Sequence, residues 1–102
     1  MELQELSELT VNDFTEHLNR RFDIKFEDHV TLSAELIEIQ ELSGYSPLER
    51  KPFLLVFRTE QKNEYYPQAT FIVFHPQKGD FPVFMTPKGF DSVGMKYEAI
   101  FS

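Results

Sequence analysis

The sequence predicts a mainly β, α+β protein: an N-terminal helix packed on a six-stranded, mostly antiparallel barrel or roll. Three observations predict it. From Phe53 to Phe57 and from Ala69 to Phe74 nearly every residue is apolar. Successive strand side chains point to opposite faces, so strands apolar on both faces must be covered on both. Such a sheet either closes into a covered barrel or buries its second face against another chain. A single capped, amphipathic stripe lies near the N-terminus, and the remaining apolar segments are separated by short turn signals rather than by further helices.

The elements follow in order. Residues 1–8 carry three glutamates and two leucines and either fray or form a short helical lead-in. Thr10 is placed as an N-cap with Asp13 three residues on, and Leu9 and Phe14 are spaced for a hydrophobic staple. Val11, Phe14 and Leu18 form one stripe, so a helix is predicted over about 10–20, ending at Asn19-Arg20-Arg21, where the arginines suit the negative end of its dipole. Phe22, Ile24 and Phe26 then alternate with polar residues as a half-buried strand, and Asp28-His29 is a tight turn.

Val30 to Leu42 has two readings. Leu32, Leu36 and Ile39 fit a helical stripe. As a strand, Leu32, Ala34 and Leu36 share one face, and Ile37 and Ile39 take over the inward role after a β-bulge near Leu36. The short preceding turn suggests a hairpin and favours the strand. Residues 43–52 form the longest connection. Further strands are predicted at Phe53–Thr59, about Gln68–His75, Phe81–Thr86 and Met95–Phe101. Pro82 argues for an edge or strand-start position. Residues 87–94 read as a loop. The chain shows no internal repeat, low-complexity tract or linker, and residues 1–102 read as one domain.

The 11 Phe and 4 Tyr supply a core without staples. Zero cysteines exclude disulfides and thiolate metal sites. A net charge of −7 and a pI near 4.8 argue against nucleic acid, which requires a basic face. Arg20, Arg21 and Lys25, and separately Arg50-Lys51, are flanked by acids. No apolar run reaches membrane-spanning length, and Met1-Glu2-Leu3-Gln4-Glu5 has no signal-peptide character. The expected location is cytoplasmic.

Catalytic patterns are missing. His17, His29 and His75 have no metal-ligand spacing, and His75 before Pro76 reads as a turn-forming hydrogen-bond donor. Glu35, Glu38 and Glu41 read as a solvated face, and Gly44-Tyr45-Ser46-Pro47 lacks the nucleophile-elbow pattern. No phosphate cradle or calcium loop is present. The expectation is a non-enzymatic protein with no cofactor and no metal. Its candidate interaction surface is an outer sheet face of Leu54, Val56, Phe71 and Val73, joined by the loop tyrosines Tyr45, Tyr65 and Tyr66. Phe90 and Val93 are further contact candidates, and for all of these loop residues the other reading is that they pack over the barrel ends. The partner would be a protein, through self-association or a heterologous surface. The alternative is a small-molecule or peptide-binding barrel with a phenylalanine-lined mouth.

Pro52-Phe53-Leu54-Leu55-Val56-Phe57-Arg58, Tyr66-Pro67-Gln68 running to Phe74-His75-Pro76, and Gly94-Met95-Lys96-Tyr97-Glu98-Ala99-Ile100-Phe101 resemble a bacterial domain-of-unknown-function family. Its members have about this length and an N-terminal Leu-Thr-x-x-x-Phe helix, here Leu9-Thr10 and Phe14. The ending G-M-x-Y-E-A-x-F is the most specific part. The resemblance implies no activity. It implies a neighbourhood of phage-tail-collar-type proteins, hence an accessory role in a tail-like assembly. One departure is Ala69, where the family's glycine follows Pro-Gln; if that glycine relieves a bend, the strand starts differently here.

Overall fold

A computed structural model describes residues 9–42 and 51–101. The predicted lead-in at 1–8 and most of the long connection, including Tyr45, lie outside the described residues. Six strands, β1 (Arg21–Glu27), β2 (Val30–Glu41), β3 (Phe53–Arg58), β4 (Ala69–His75), β5 (Gly79–Phe90) and β6 (Met95–Phe101), form a closed antiparallel barrel in the order β1-β2-β3-β6-β5-β4. β4 returns to lie beside β1, so β1 to β4 make a Greek key. The barrel is also two meanders facing each other. Their strand lengths are 7, 12 and 6 residues in the first and 7, 12 and 7 in the second. The long middle strand of each carries a register shift, between Leu36 and Glu38 and between Pro87 and Gly89. This duplication of architecture has no counterpart as a sequence repeat.

β2 is a strand, and its bulge falls at the position where the apolar alternation slips. Leu36 is fully buried, and after the extra residue Ile39 packs against the core. Ile37 does not take an inward place; it lines an outer depression with Glu38 and Val56. β5 is twice the predicted length, and residues predicted as a loop continue it to Phe90. Two prolines are tolerated for separate reasons. Pro82 pairs with Ile72 of β4 but lies beyond the described β5–β6 pairs, which run from Met85 to Phe90. Pro87 sits at the register shift, where the ladder is already interrupted.

The predicted helix over 10–20 is corrected to a single turn, α1 (Asn12–Thr15). Asp13 accepts the Thr10 amide at 2.8 Å, one arm of the predicted capping pair. Beyond Thr15 the chain makes turns closed by three-residue bonds, His17 N–H to Phe14 and Arg20 N–H to His17, and Asn19 takes a left-handed φ of 67°. The reason is competition from β2. Its excess length leaves the backbone of Leu36 free on the β1 side, and Asn19 and Arg20 bond to it instead of extending the helix. Leu9 and Phe14 remain in the core.

The interior is filled by rings. Near one end of the barrel Phe14 lies against Phe22, Phe53 and Phe101, with Phe53 and Phe101 stacked at 4.6 Å. Toward the other end Phe26 stacks on Tyr66 at 4.9 Å and packs on Phe71 and Tyr97. Aromatic pairs of this kind add about 0.5–1.5 kcal/mol each beyond their area burial.

Candidate functional site

Two places gather polar chemistry, one at each barrel end. At the first, His75 projects from the inner face of β4 and is 4% exposed. Its Nδ1 accepts the backbone N–H groups of Gln77 and Lys78, both at 3.1 Å. Its Nε2 donates to the carbonyl oxygen of Asp13 at 2.7 Å. A carbonyl only accepts, and two amides need a lone pair, so the partners select the neutral Nε2–H tautomer. His75 thus forms its turn as an acceptor, not as the predicted donor, and donates instead to Asp13. Burial pushes its pKa down, outweighing the pull of the Asp13 carbonyl, and the neighbouring His17 and Lys78 lower it further. The sequence supports this hairpin locally, since Pro76 opens a three-residue turn and Gly79 closes it with φ of 94°.

At the second end, the β3–β4 connection crosses the mouth because β3 and β4 are not neighbours. Tyr97 fastens it: its hydroxyl accepts the Tyr66 amide at 3.0 Å and donates to Gln61 Oε1 at 2.8 Å. Thr59 Oγ1 donates to the same oxygen and receives the Gln61 amide. Gly94 is required here, since a Cβ would stand 1.8 Å from the Thr59 carbonyl oxygen. Next to it Asp91 closes the β5–β6 turn. Its Oδ1 accepts the amides of Val93 and Gly94, and its Oδ2 accepts from Arg58, which also reaches Glu35. The Gly94 and Val93 amides, then Arg58, lower the Asp91 carboxyl to about 2.

The candidate outer face is rearranged. Leu54 and Val56 lie outside the core cluster, whereas Phe71 and Val73 point into the barrel and belong to it. The four therefore do not share a face. Register instead aligns Leu54 with Ile100 across β3 and β6, and Phe84 with Thr70 across β5 and β4. Ile100 is 56% and Phe84 54% exposed, matched among the described large apolar residues only by Tyr65. Pro82 and Ile72 pair on the next row. Sequence reasoning missed Ile100 and Phe84. Their signal was present: both occupy the outward parity of strands whose inward parity is the aromatic core.

Tyr65 is exposed and meets Phe90 edge to face at 6.2 Å, beside an open depression of about 290 Å³ that Pro87 and Met95 also line. Tyr66 is half-buried on Phe26. His17 lies 4.9 Å from His75, ring to ring, while His29 is exposed in the β1–β2 turn. Among the described residues no three His, Asp or Glu side chains gather as a metal site, and no helix is long and apolar enough to cross a membrane.

Fold and site together define a small closed Greek-key barrel whose buried polar side chains fasten its own two ends. The chain belongs to the family described as Domain of unknown function (DUF6916), which matches residues 9–101. That span includes the Gly94 to Phe101 segment, whose glycine, core tyrosine and fully buried Ala99 each have a structural duty. No curated protein and no solved structure matches the chain. The position of the expected family glycine, Ala69, opens β4 and pairs with Met85. It is not among the residues with positive φ, so alanine is accommodated.

Proposed function

We propose that this chain is a non-enzymatic protein-interaction or assembly module that docks through the outer face of β3, β6 and β5. The observation that carries the reading is the apolar row of Leu54, Ile100 and Phe84, with Pro82 and Ile72 beside it. Closure of the barrel directs docking to a face, because a closed barrel offers no strand edge for augmentation. The face suits a protein surface of similar apolar character, a second copy of the chain first of all. A role as an accessory component of a phage-tail-like structure extends this reading from the family resemblance.

The test is the absolute mass in solution by light scattering over a hundredfold concentration range, for the native chain and for Ile100→Glu combined with Phe84→Glu. A native multimer that the double substitution reduces to monomer supports the outer face. A multimer unchanged by it places the contact elsewhere, and a monomer throughout removes self-association.

A further inference from the structure

We infer that the N-terminal turn is an acid-released plug, held on the end of the barrel by unprotonated His75. This device is separate from the outer face and stands or falls without it.

Among the described residues, the Asp13 to His17 part of the segment is tied to the barrel at His75 and its hairpin, whereas Asn19 and Arg20 keep separate bonds to the Leu36 backbone and serve as the hinge. Asp13 of the turn is bonded through its carbonyl to Nε2, and the 76–78 hairpin is bonded through two amides to Nδ1. The ring is a buried connector between a segment with little regular structure and the barrel wall. Protonation can occur only at Nδ1, the one nitrogen with a lone pair. The added proton would face two N–H groups already aimed at that atom, and both bonds would be lost while the new charge stayed buried.

The surrounding charges do not rescue it. From the turn, His17 stands 4.9 Å away ring to ring, and its own Nε2 meets Gln77 Oε1 at 3.4 Å. From the hairpin, Lys78 adds positive charge. The Asp13 carboxylate is the nearby anion, and it is engaged by Lys78 Nζ at 3.6 Å and by the Thr10 amide. The remaining neighbours, Phe14 and Phe22, meet the His75 ring at steep angles of 79° and 64° and carry no charge.

A group that must stay neutral in the closed form couples closure to pH. An open form, in which His75 is hydrated, binds a proton near the ordinary histidine value of about 6.5. Closure is therefore independent of pH above that value and weakens as pH falls below it. The coupling gives up to about tenfold more opening per pH unit. Opening withdraws Phe14 from Phe22, Phe53 and Phe101 and lays bare an aromatic barrel end. The six-strand ladder is continuous without the turn, so the barrel itself does not need it for closure.

The experiment is residue-resolved amide hydrogen exchange on the full chain at pH 7.5 and 5.5, corrected for intrinsic rates. The expected result is a loss of protection of up to about tenfold for residues 14–18 and for the Gln77 and Lys78 amides, while the Asn19 amide, bonded to Leu36, keeps its protection. The β3 and β6 amides should keep theirs. His75→Asn retains an acceptor for the hairpin amides but cannot be protonated, so its protection should not change between the two pH values. His17→Asn should retain the native pH response. Should His75→Asn fail to fold, the ring nitrogens of the native protein are read by NMR, where an Nδ1 unprotonated at pH 7.5 that titrates together with the exchange change is expected. Equal protection at both pH values, a parallel loss across all strands, or a pH response carried by His17 would each overturn the inference.

Discussion

The two ends of the barrel solve one problem with different chemistry. Each must fasten a segment outside the ladder over a mouth lined with phenylalanines, and each uses one polar ring projecting from an inward strand position. At the α1 end the ring is His75, neutral and accepting two amides. At the other it is Tyr97, whose hydroxyl accepts one amide and donates to a glutamine. Geometrically the two fastenings are equivalent; in their response to protons they are not. Burial raises the Tyr97 hydroxyl above its ordinary value, so that end is indifferent to pH until alkaline conditions, whereas burial holds His75 below the ordinary histidine value and ties its end to the neutral ring. The choice of ring decides which end of an otherwise closed molecule can be opened.

The comparison breaks most severely at the tyrosine end. Gly94→Ala places a Cβ against the Thr59 backbone, which cannot swing aside as a flexible side chain would. A loss of about 4 kcal/mol or more is expected in urea unfolding. At the histidine end, Phe14→Ala removes the ring that touches Phe22, Phe53, Phe101 and His75, with an expected loss of about 3 kcal/mol. A smaller figure would show that the turn detaches at lower cost than the ring's burial is worth, which would sharpen the contrast between the ends.

Tyr97→Phe leaves the ring in place and deprives the Tyr66 amide of its acceptor, for an expected loss of about 1–2 kcal/mol, independent of pH between 5 and 8. The pH response of the native protein should come instead from His75. Its folded value is lowered, so the unfolded chain binds more protons below about 6.5, and thermal stability should decline as pH falls through that point. His75→Asn should flatten the curve there. Asp91, lowered to about 2, adds pH dependence only in more acid solution: its stabilisation is full above the ordinary carboxylate range near 4 and is lost as pH falls toward 2. The smallest effect on stability belongs to Ile100→Glu, an exposed position, within about 0.5 kcal/mol in urea. Its effect on mass in solution is the readout that matters.

The strands were legible where one parity was polar. β1 alternates cleanly, and the slip in apolar phase after Leu36 revealed the bulge before any pairing was known. Legibility failed where both parities are apolar. In Phe53–Phe57 and Ala69–Phe74 either phase could face inward, which is why Phe71 and Val73 were grouped with Leu54 and Val56. Pairing decides the phase: Ile24 opposite Val73 turns both into the core. The candidate surface was misplaced for the same reason, and Ile100 and Phe84 became visible only once the rows across β3, β6 and β5 were in register. The fastening of the ends was not legible, because His75 meets Asp13, and Tyr97 meets Gln61 and Tyr66, across long stretches of chain.

The sequence by itself determined that the protein is mainly β and antiparallel, that its core is aromatic, and where most turns fall. These depend on alternation, ring count and turn chemistry, all of them local. Only the tertiary structure decided how far the first helix runs, which apolar face is inside, and how each mouth is closed. Those outcomes depend on which backbone groups and rings a segment finds when the sheet curls shut. For Asn19 and Arg20 it was the unpaired backbone of Leu36, an encounter that no propensity of the N-terminal segment contains.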